Sequence, residues 1–276
     1  MKTDLDHREL DEIRKKRPSK YRGLNQDEIS LGLAESDFEM PVEVKQAMID
    51  AIMNGEYHYQ FDGLPGFLEA AKEKLWRFNN LRVGEDEIMP IAGGMNGIWL
   101  ASRCLVRPGE KVIAITPNYP PIIEMPRTVS QAEVVETMAR GNFHMDLDAI
   151  EAAITERTRM ISICNPNNPS GAVYSREELG GLAELATRHD LYAFSDELYE
   201  NLTYDGRRHL SLASLPGMKE RTVTVFAFTK IYGMSGLRIG YLVGPKEIVK
   251  GMKEENSRVF IQPSTIDQIA GSVALA

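Results

Sequence analysis

MISICNPNNPSGAVYSREELGGLAELATRHDLYAFSDELYENL, residues 160–202, is the stretch whose reading decides the fold. It opens on a short apolar run, MISIC, that reads as a strand. NPNNPSG (165–171) follows as a polar turn in which two prolines and a glycine fix the backbone and present the Asn168 amide at the strand's C-terminal end. Ser175 and Glu178 stand at capping-box spacing, so a helix is expected over 175–189. A second strand then carries Asp196 at its C-terminal end and Tyr199 three residues further on. An aspartate after an apolar strand is expected to be partly buried and to have a cationic partner. Taken alone, that partnership reads equally well as a structural salt bridge or as a contact to a ligand.

The same unit recurs on both sides. IMPIAGGMNGIWLASRCLV (88–106) is a short strand running into Gly93-Gly94 and straight on into an apolar helix. Glycines there let backbone N–H groups approach an anion at the positive end of a helix dipole, although a tight strand-to-helix turn needs them equally. KVIAITP (111–117) is a continuous apolar run typical of a strand buried on both faces, with Asn118 and Tyr119 at its C-terminal end. Open α/β sheets bind ligands at that edge, where an aromatic side chain can stack on a flat ring. TVTVFAFTKIYGMSGLRIGYLVG (222–244) gives a buried β-branched run, a turn with Lys230, a glycine-punctuated loop and a second buried run containing Arg238. A buried lysine has a lowered pKa and becomes a nucleophile toward carbonyl compounds, and a guanidinium holds an anion. Repeated strand, loop, helix and strand imply an α/β fold: a mostly parallel sheet sandwiched by helices, with part of a smaller N-terminal segment.

Upstream, residues 1–28 are polar and read as a helix and arm lying on something else. The chain is extended over 29–40, and Pro41 opens a helix with Val42, Val44, Met48, Ile49 and Ile52 on one face. The aromatic cluster Tyr57, His58 and Tyr59 before the Gly63–Pro65 turn reads as packing when taken alone. The expected division is 1–43 as arm and small-domain segment, and 44–276 as the large domain.

A net charge of −8 on 276 residues, with no basic stripe, argues against a nucleic-acid partner. No apolar stretch reaches transmembrane length, and the charged N-terminus lacks the apolar core of a signal peptide, so a cytoplasmic protein without a membrane partner is expected. Cys104 and Cys164 both sit in apolar sequence, far apart, and suggest neither a disulfide framework nor a zinc site. No metal site is expected. What remains is a set of groups suited to pyridoxal phosphate: an amine for the aldehyde (Lys230), a carboxylate for the ring nitrogen (Asp196), donors for the phenolic oxygen (Asn168, Tyr199), an aromatic cover (Tyr119) and a phosphate cup (Gly93, Gly94, Arg238).

NPNNPSG, SDELY (195–199) and TKIYGMSGLRIG (229–240), in that order, resemble the class I/II aminotransferases of the fold-type-I pyridoxal-phosphate enzymes. LAESDFEMP (33–41), AGG (92–94) and PNYP (117–120) extend the resemblance over nearly the whole chain. It implies pyridoxal 5′-phosphate as cofactor and exchange of an amino group between an amino acid and a 2-keto acid. It implies Lys230 as the residue linked to the cofactor, with Asp196 and Tyr199 beside it in catalysis. Gly93, Gly94, Met95, Tyr119, Asn168, Thr229 and Arg238 complete the cofactor contacts, and Ala34 and Asn168 face the substrate. Tyr59 matches a tyrosine that reaches the phosphate of a second subunit, so a homodimer is implied. Many members have serines where this chain has Ala227 and Thr229, and the spacing from Tyr59 to Gly63 is one residue shorter than in the commonest members. By the same resemblance the family continues for on the order of 100 residues beyond Ala276, into a part that carries the arginine for the substrate α-carboxylate. LGLAES (31–36) and YQFDGLPGF (59–67) also resemble aminocyclopropane-carboxylate synthases. A β-lyase is a further alternative on the same cofactor. A silent cofactor-binding regulatory domain is the non-enzymatic one, with no basic helix-turn-helix region before residue 30 to support it. Arg258 is a candidate for a distal substrate carboxylate or a plain surface charge.

Overall fold

Runs of four to seven residues, too short for helices and, apart from the edge run 133–138, almost entirely buried, build the centre of the molecule as strands. The computed structural model describes residues 10–276. The first nine positions of the polar arm lie outside the described residues. In chain order the elements are α1 (Leu10–Lys16), α2 (Val42–Met53), α3 (Pro65–Asn79), β1 (Ile88–Ile91), α4 (Gly94–Leu105), β2 (Lys111–Thr116), α5 (Pro120–Val129), β3 (Glu133–Met138), α6 (Leu147–Ala153) and β4 (Thr158–Cys164). They continue with α7 (Arg176–Arg188), β5 (Tyr192–Asp196), β6 (Thr222–Ala227), α8 (Phe228–Ile231), β7 (Gly240–Val243), α9 (Lys246–Asn256) and α10 (Thr265–Leu275).

The strands form one sheet in the order β1-β7-β6-β5-β4-β2-β3. Pairing is parallel from β6 to β3, and β7 runs antiparallel to both β6 and β1. β7 is therefore the strand that opposes the others, and β1, β2, β4, β5 and β6 all end at the same edge. Register aligns those ends, with Cys164 opposite Asp196 and Asp196 opposite Val225. Parallel neighbours require crossovers, and α7 is one, started by the expected capping box between Ser175 and Glu178.

Alternation along the strands splits the core into two faces. Val225 and Leu242 face α4 and α9, with Ile98, Val249 and Met252. Phe226 and Tyr241 face the opposite way, toward Phe67 and Leu75 of α3 and Ala270 of α10. Further along that second face, Ile113, Ile161 and Ile163 pack on Leu179, Leu182 and Leu185 of α7.

Two expectations need correction, and one residue of an apolar stretch is exposed. The apolar side chains of α2 do not form a buried face: Val44 is buried, whereas Val42, Ile49 and Ile52 are each more than half exposed. Tyr57 and Tyr59 do not pack into the core either, at 65% and 71% exposure. Cys104, on the outer side of α4, is exposed, while Cys164 is buried. In each case local apolar content says nothing about whether a neighbouring element arrives to cover it.

Gly97 seats α4 on the sheet: a Cβ there would lie 2.6 Å from Cγ2 of Val225 and 3.0 Å from Cδ1 of Ile91. Gly97→Val is expected to lower unfolding free energy in urea by about 1–3 kcal/mol, the usual penalty for overpacking a tight interface. An unchanged midpoint would show that α4 is not anchored at this point.

Candidate active site

Five strand ends and the segment before α2 converge on a cavity of about 480 Å³, bounded by Ala34, Gly94, Met95, Tyr119, Asn168, Asp196, Tyr199, Thr229, Lys230 and Arg238. The residues singled out in the sequence are thus brought together, with two qualifications. Gly93 enters through its shape, since a Cβ there would lie 2.7 Å from Nη2 of Arg238. Tyr59 is absent from this cavity. Its exposed ring stacks on Phe61, 5.5 Å between centroids, and borders a separate surface hollow with Gln262 and Thr265.

Asp196 forms the floor. It is 4% exposed, its Oδ1 accepts the Leu198 amide at 3.1 Å, and among the described residues no lysine or arginine pairs with it. Burial raises its pKa to about 7; the Leu198 N–H and Lys230 act against the rise, and neighbouring Glu197 adds to it. The expected cationic partner is therefore not found among the described residues. Its neighbours show the contrast. Glu197 meets His209 Nε2 at 2.8 Å and accepts from Ser195 Oγ, Ser211 Oγ and the Leu212 amide. Glu200 bonds Lys74 and, at 2.7 Å, Asn79. Of three acids within five residues, the two that face away from the cavity are satisfied by side chains. The one that faces it is not.

Lys230 lies on α8, one helical turn beyond β6, half-buried, with Nζ donating to the Leu33 carbonyl at 3.0 Å. Burial lowers its pKa, opposed by Glu35 and Asp196 and reinforced by Arg238. Arg238 departs from the expected strand position. It precedes β7 in the left-handed region at φ 53°, closing the turn Ser235–Leu237, with Nη1 on the Ser235 carbonyl at 2.9 Å and Nη2 on the Ala92 carbonyl at 3.4 Å. That backbone kink aims the guanidinium across Gly93 at the start of α4, where helix dipole and cation both favour an anion.

The turn 165–171 divides its three asparagines between tasks. Asn165 accepts the Tyr174 amide at 3.0 Å and donates to the Leu210 carbonyl, while Asn167 donates to the Pro117 carbonyl and accepts from Ser170. Asn168 is left to line the cavity. Tyr199 faces it with a hydroxyl pushed by burial up to about 12, so it stays protonated and able to donate at neutral pH. Tyr119 covers the opposite side, its hydroxyl 3.6 Å from Sδ of Met95. Arg258 is paired with Glu255 at 2.7 Å, outside the cavity. Among the described residues no cluster of His, Cys, Asp and Glu suits a metal ion, and no helix is long and apolar enough to cross a membrane.

Sequence reading missed three participants. The Leu33 carbonyl and the Leu198 amide are backbone groups and leave no trace in residue type. Glu35, whose charge acts on Lys230, sits in LAESDF and receives no role of its own there.

Sheet and site together define a fold-type-I aminotransferase architecture. The model for aminotransferases of class I and II matches residues 26–276, and the chain belongs to that family. It is 39% identical over 253 residues to an aspartate aminotransferase of Rhizobium meliloti (strain 1021), covering 90% of this chain and 61% of the relative. An aspartate/prephenate aminotransferase of Thermus thermophilus is likewise 39% identical, with 90% and 64% covered. Among solved structures, an aspartate aminotransferase from Thermus thermophilus with maleate superposes with a TM-score of 0.84 at 38% identity, over 88% of this chain and 63% of the other. An aromatic aminotransferase from Pyrococcus horikoshii OT3 gives 0.87 at 33% identity, over 91% and 68%. The chain spans less than two thirds of the length of these curated relatives.

Asp196 makes stability depend on pH in a defined direction. With its pKa raised by folding, the native state holds the proton more tightly than the unfolded chain. Stability is therefore greatest below the ordinary aspartate pKa and declines as pH rises from about 4 toward about 7. The cofactor-free protein is expected to show that decline in melting temperature, and Asp196→Asn to flatten it. An identical slope in the variant would contradict an uncompensated carboxylate at this position.

Proposed function

We propose that this chain is the cofactor-binding part of a pyridoxal-phosphate-dependent aminotransferase, a transferase that moves an amino group between an amino acid and a 2-keto acid. The observation that carries the reading is Asp196, a buried carboxylate with no paired cation among the described residues, facing the cavity that holds a half-buried lysine. A protonated pyridine nitrogen would supply that cation. The remaining groups suit the same molecule: a guanidinium beside a glycine and a helix start for a phosphate, Asn168 and Tyr199 for a phenolic oxygen, and Tyr119 for a ring face. Gly94, Met95 and Thr229 would complete the wall around it, and Ala34 would offer its backbone to the substrate.

Pyridoxal phosphate, when bound, supplies an electron-withdrawing ring that stabilises negative charge at the substrate Cα. Lys230 would hold its aldehyde and, once displaced by the substrate amine, would carry a proton away from Cα and back. A lowered pKa leaves a larger share of that amine unprotonated and able to accept the proton. Asp196 would keep the ring nitrogen charged, a close opposite charge being worth about 1–3 pKa units. Tyr199 and Asn168 would hold the phenolic oxygen in place, and Tyr119 would exclude water from one ring face.

Aspartate is the first donor to test, because the relatives cited above carry that name. The whole protein is expected to turn over aspartate or another amino acid with a 2-keto acid. Lys230→Ala should lower the rate by at least about 10²–10⁴-fold, the usual contribution of a positioned acid–base group, and lose the borohydride-fixed link to the cofactor. Release of ammonia with pyruvate, and no keto-acid-dependent exchange, would instead indicate a lyase. A borohydride-labelled peptide from another lysine would remove Lys230 from its role.

We also propose a homodimer in the cytoplasm, with residues 1–43 belonging to a smaller domain. An exposed strip formed by Tyr57, Tyr59 and Phe61 and continued by Val259, Phe260 and Ile261 supports an apolar subunit contact. Sedimentation of the whole protein should give twice the chain mass, and Tyr59→Ala should weaken phosphate-dependent cofactor retention several-fold. A monomer with full activity would exclude the dimer reading.

A further inference from the structure

Leu33 and Ala34, successive residues in the left-handed region at φ 58° and 47°, cross the mouth of the cavity. Each costs roughly 1–2 kcal/mol for a residue with a Cβ, so the turn stays in place only if its flanks hold it. The flank is Glu35. Its carboxylate accepts from Ser235 Oγ and lies 3.3 Å from Nη1 of Arg17, and its carbonyl accepts Lys20 Nζ at 2.6 Å. Lys20 is itself 8% exposed and paired with Asp37 at 2.9 Å, while Arg17 also donates to the Phe38 carbonyl at 2.9 Å. On the far side Gly233 fits against the same segment: a Cβ there would lie 3.1 Å from the Phe38 carbonyl oxygen. One carboxylate thus ties together the N-terminal arm, the strained turn and the loop that follows Lys230.

We propose that Glu35 is a positioning residue, a clasp that latches the Leu33–Ala34 turn over Lys230 through Ser235 and Arg17 and adds a negative charge beside the lysine amine. The role goes beyond the contacts assigned to the cofactor, and it rests on Lys230 being the reactive amine. Two actions follow from one group. The hydrogen bonds hold the Leu33 carbonyl where Nζ donates to it, and the charge favours the ammonium form. The other charged groups facing the amine are Asp196, of the same sign as Glu35, and Arg238, of the opposite sign. Around Glu35 itself stand Arg17 and Lys20, with Asp37 beyond them.

The test compares Glu35→Gln and Ser235→Ala with the unaltered protein, without cofactor. Trinitrobenzenesulfonate labelling of Lys230 is followed against pH by peptide mapping, alongside limited proteolysis within 30–38. Glu35→Gln is expected to lower the labelling midpoint of Lys230 by up to about one pH unit, less than a charge in direct contact would give. It should also speed cleavage in 30–38 several-fold. Ser235→Ala keeps the charge, so it should speed cleavage and leave the midpoint nearly unchanged. A midpoint and cleavage rate unmoved in Glu35→Gln would overturn the proposal, as would faster cleavage alone, which marks a purely structural tie. If Glu35→Gln fails to fold, Arg17→Met replaces it; removing that cation from the carboxylate should raise the midpoint and speed cleavage, and no change in either would be equally fatal. These readouts need neither cofactor nor turnover. Failure to transaminate would therefore leave the clasp standing, and failure of the clasp would leave the aminotransferase reading intact.

Discussion

A carboxylate kept from water with one backbone amide for company is the constraint around which this molecule is arranged. Placing Asp196 there requires β5 to be flanked on both sides by parallel strands, so that its end is enclosed by neighbouring strand ends. Enclosure in turn requires two helical layers and a sheet long enough to support them. The local chemistry is selective. Glu197 and Glu200 lie in the same short segment and are saturated with partners, because a buried charge without them would destabilise the fold. Asp196 is spared that treatment and keeps its affinity for a cation. The fold accepts a local instability at the edge of an open cavity.

Much of this was legible in the chain. Strand ends are marked by the switch from apolar runs to polar or glycine-rich turns, and at a parallel sheet's edge those switches are where ligands sit. Asp196, Lys230, Tyr119 and the glycine pair are visible for that reason. The three asparagines of NPNNPSG are chemically identical, however, and nothing local to them says that Asn165 and Asn167 serve the turn while Asn168 serves the cavity. Periodicity placed Arg238 inside a strand because Leu237 and Ile239 flank it. The left-handed backbone that carries it in front of the strand is a tertiary outcome.

The exposed face of α2 and the aromatic strip near Tyr59 fail in the opposite way. Pattern marks them as apolar, but coverage is a property of what stands next to them. A hydrophobic stripe reports a need, not its fulfilment. The backbone contacts of Leu33 and Leu198 are beyond the reach of any residue pattern, since every residue except proline has the same amide and carbonyl.

The reversed direction of β7 has a kinetic consequence. β6 and β7 are sequence neighbours paired antiparallel, so Lys230 and Arg238 share one hairpin. Hairpins close on the order of microseconds, and their contacts carry little chain entropy compared with crossovers. Asp196, Asn168 and Tyr119 reach the same cavity only after successive parallel pairings, which join distant parts of the chain. The amine and the guanidinium are thus brought near each other by a local pairing, while Gly93, the carboxylate and its neighbours arrive with the slower long-range order. A newly made chain would set its lysine beside its arginine before the glycine turn and the carboxylate close the cavity around them.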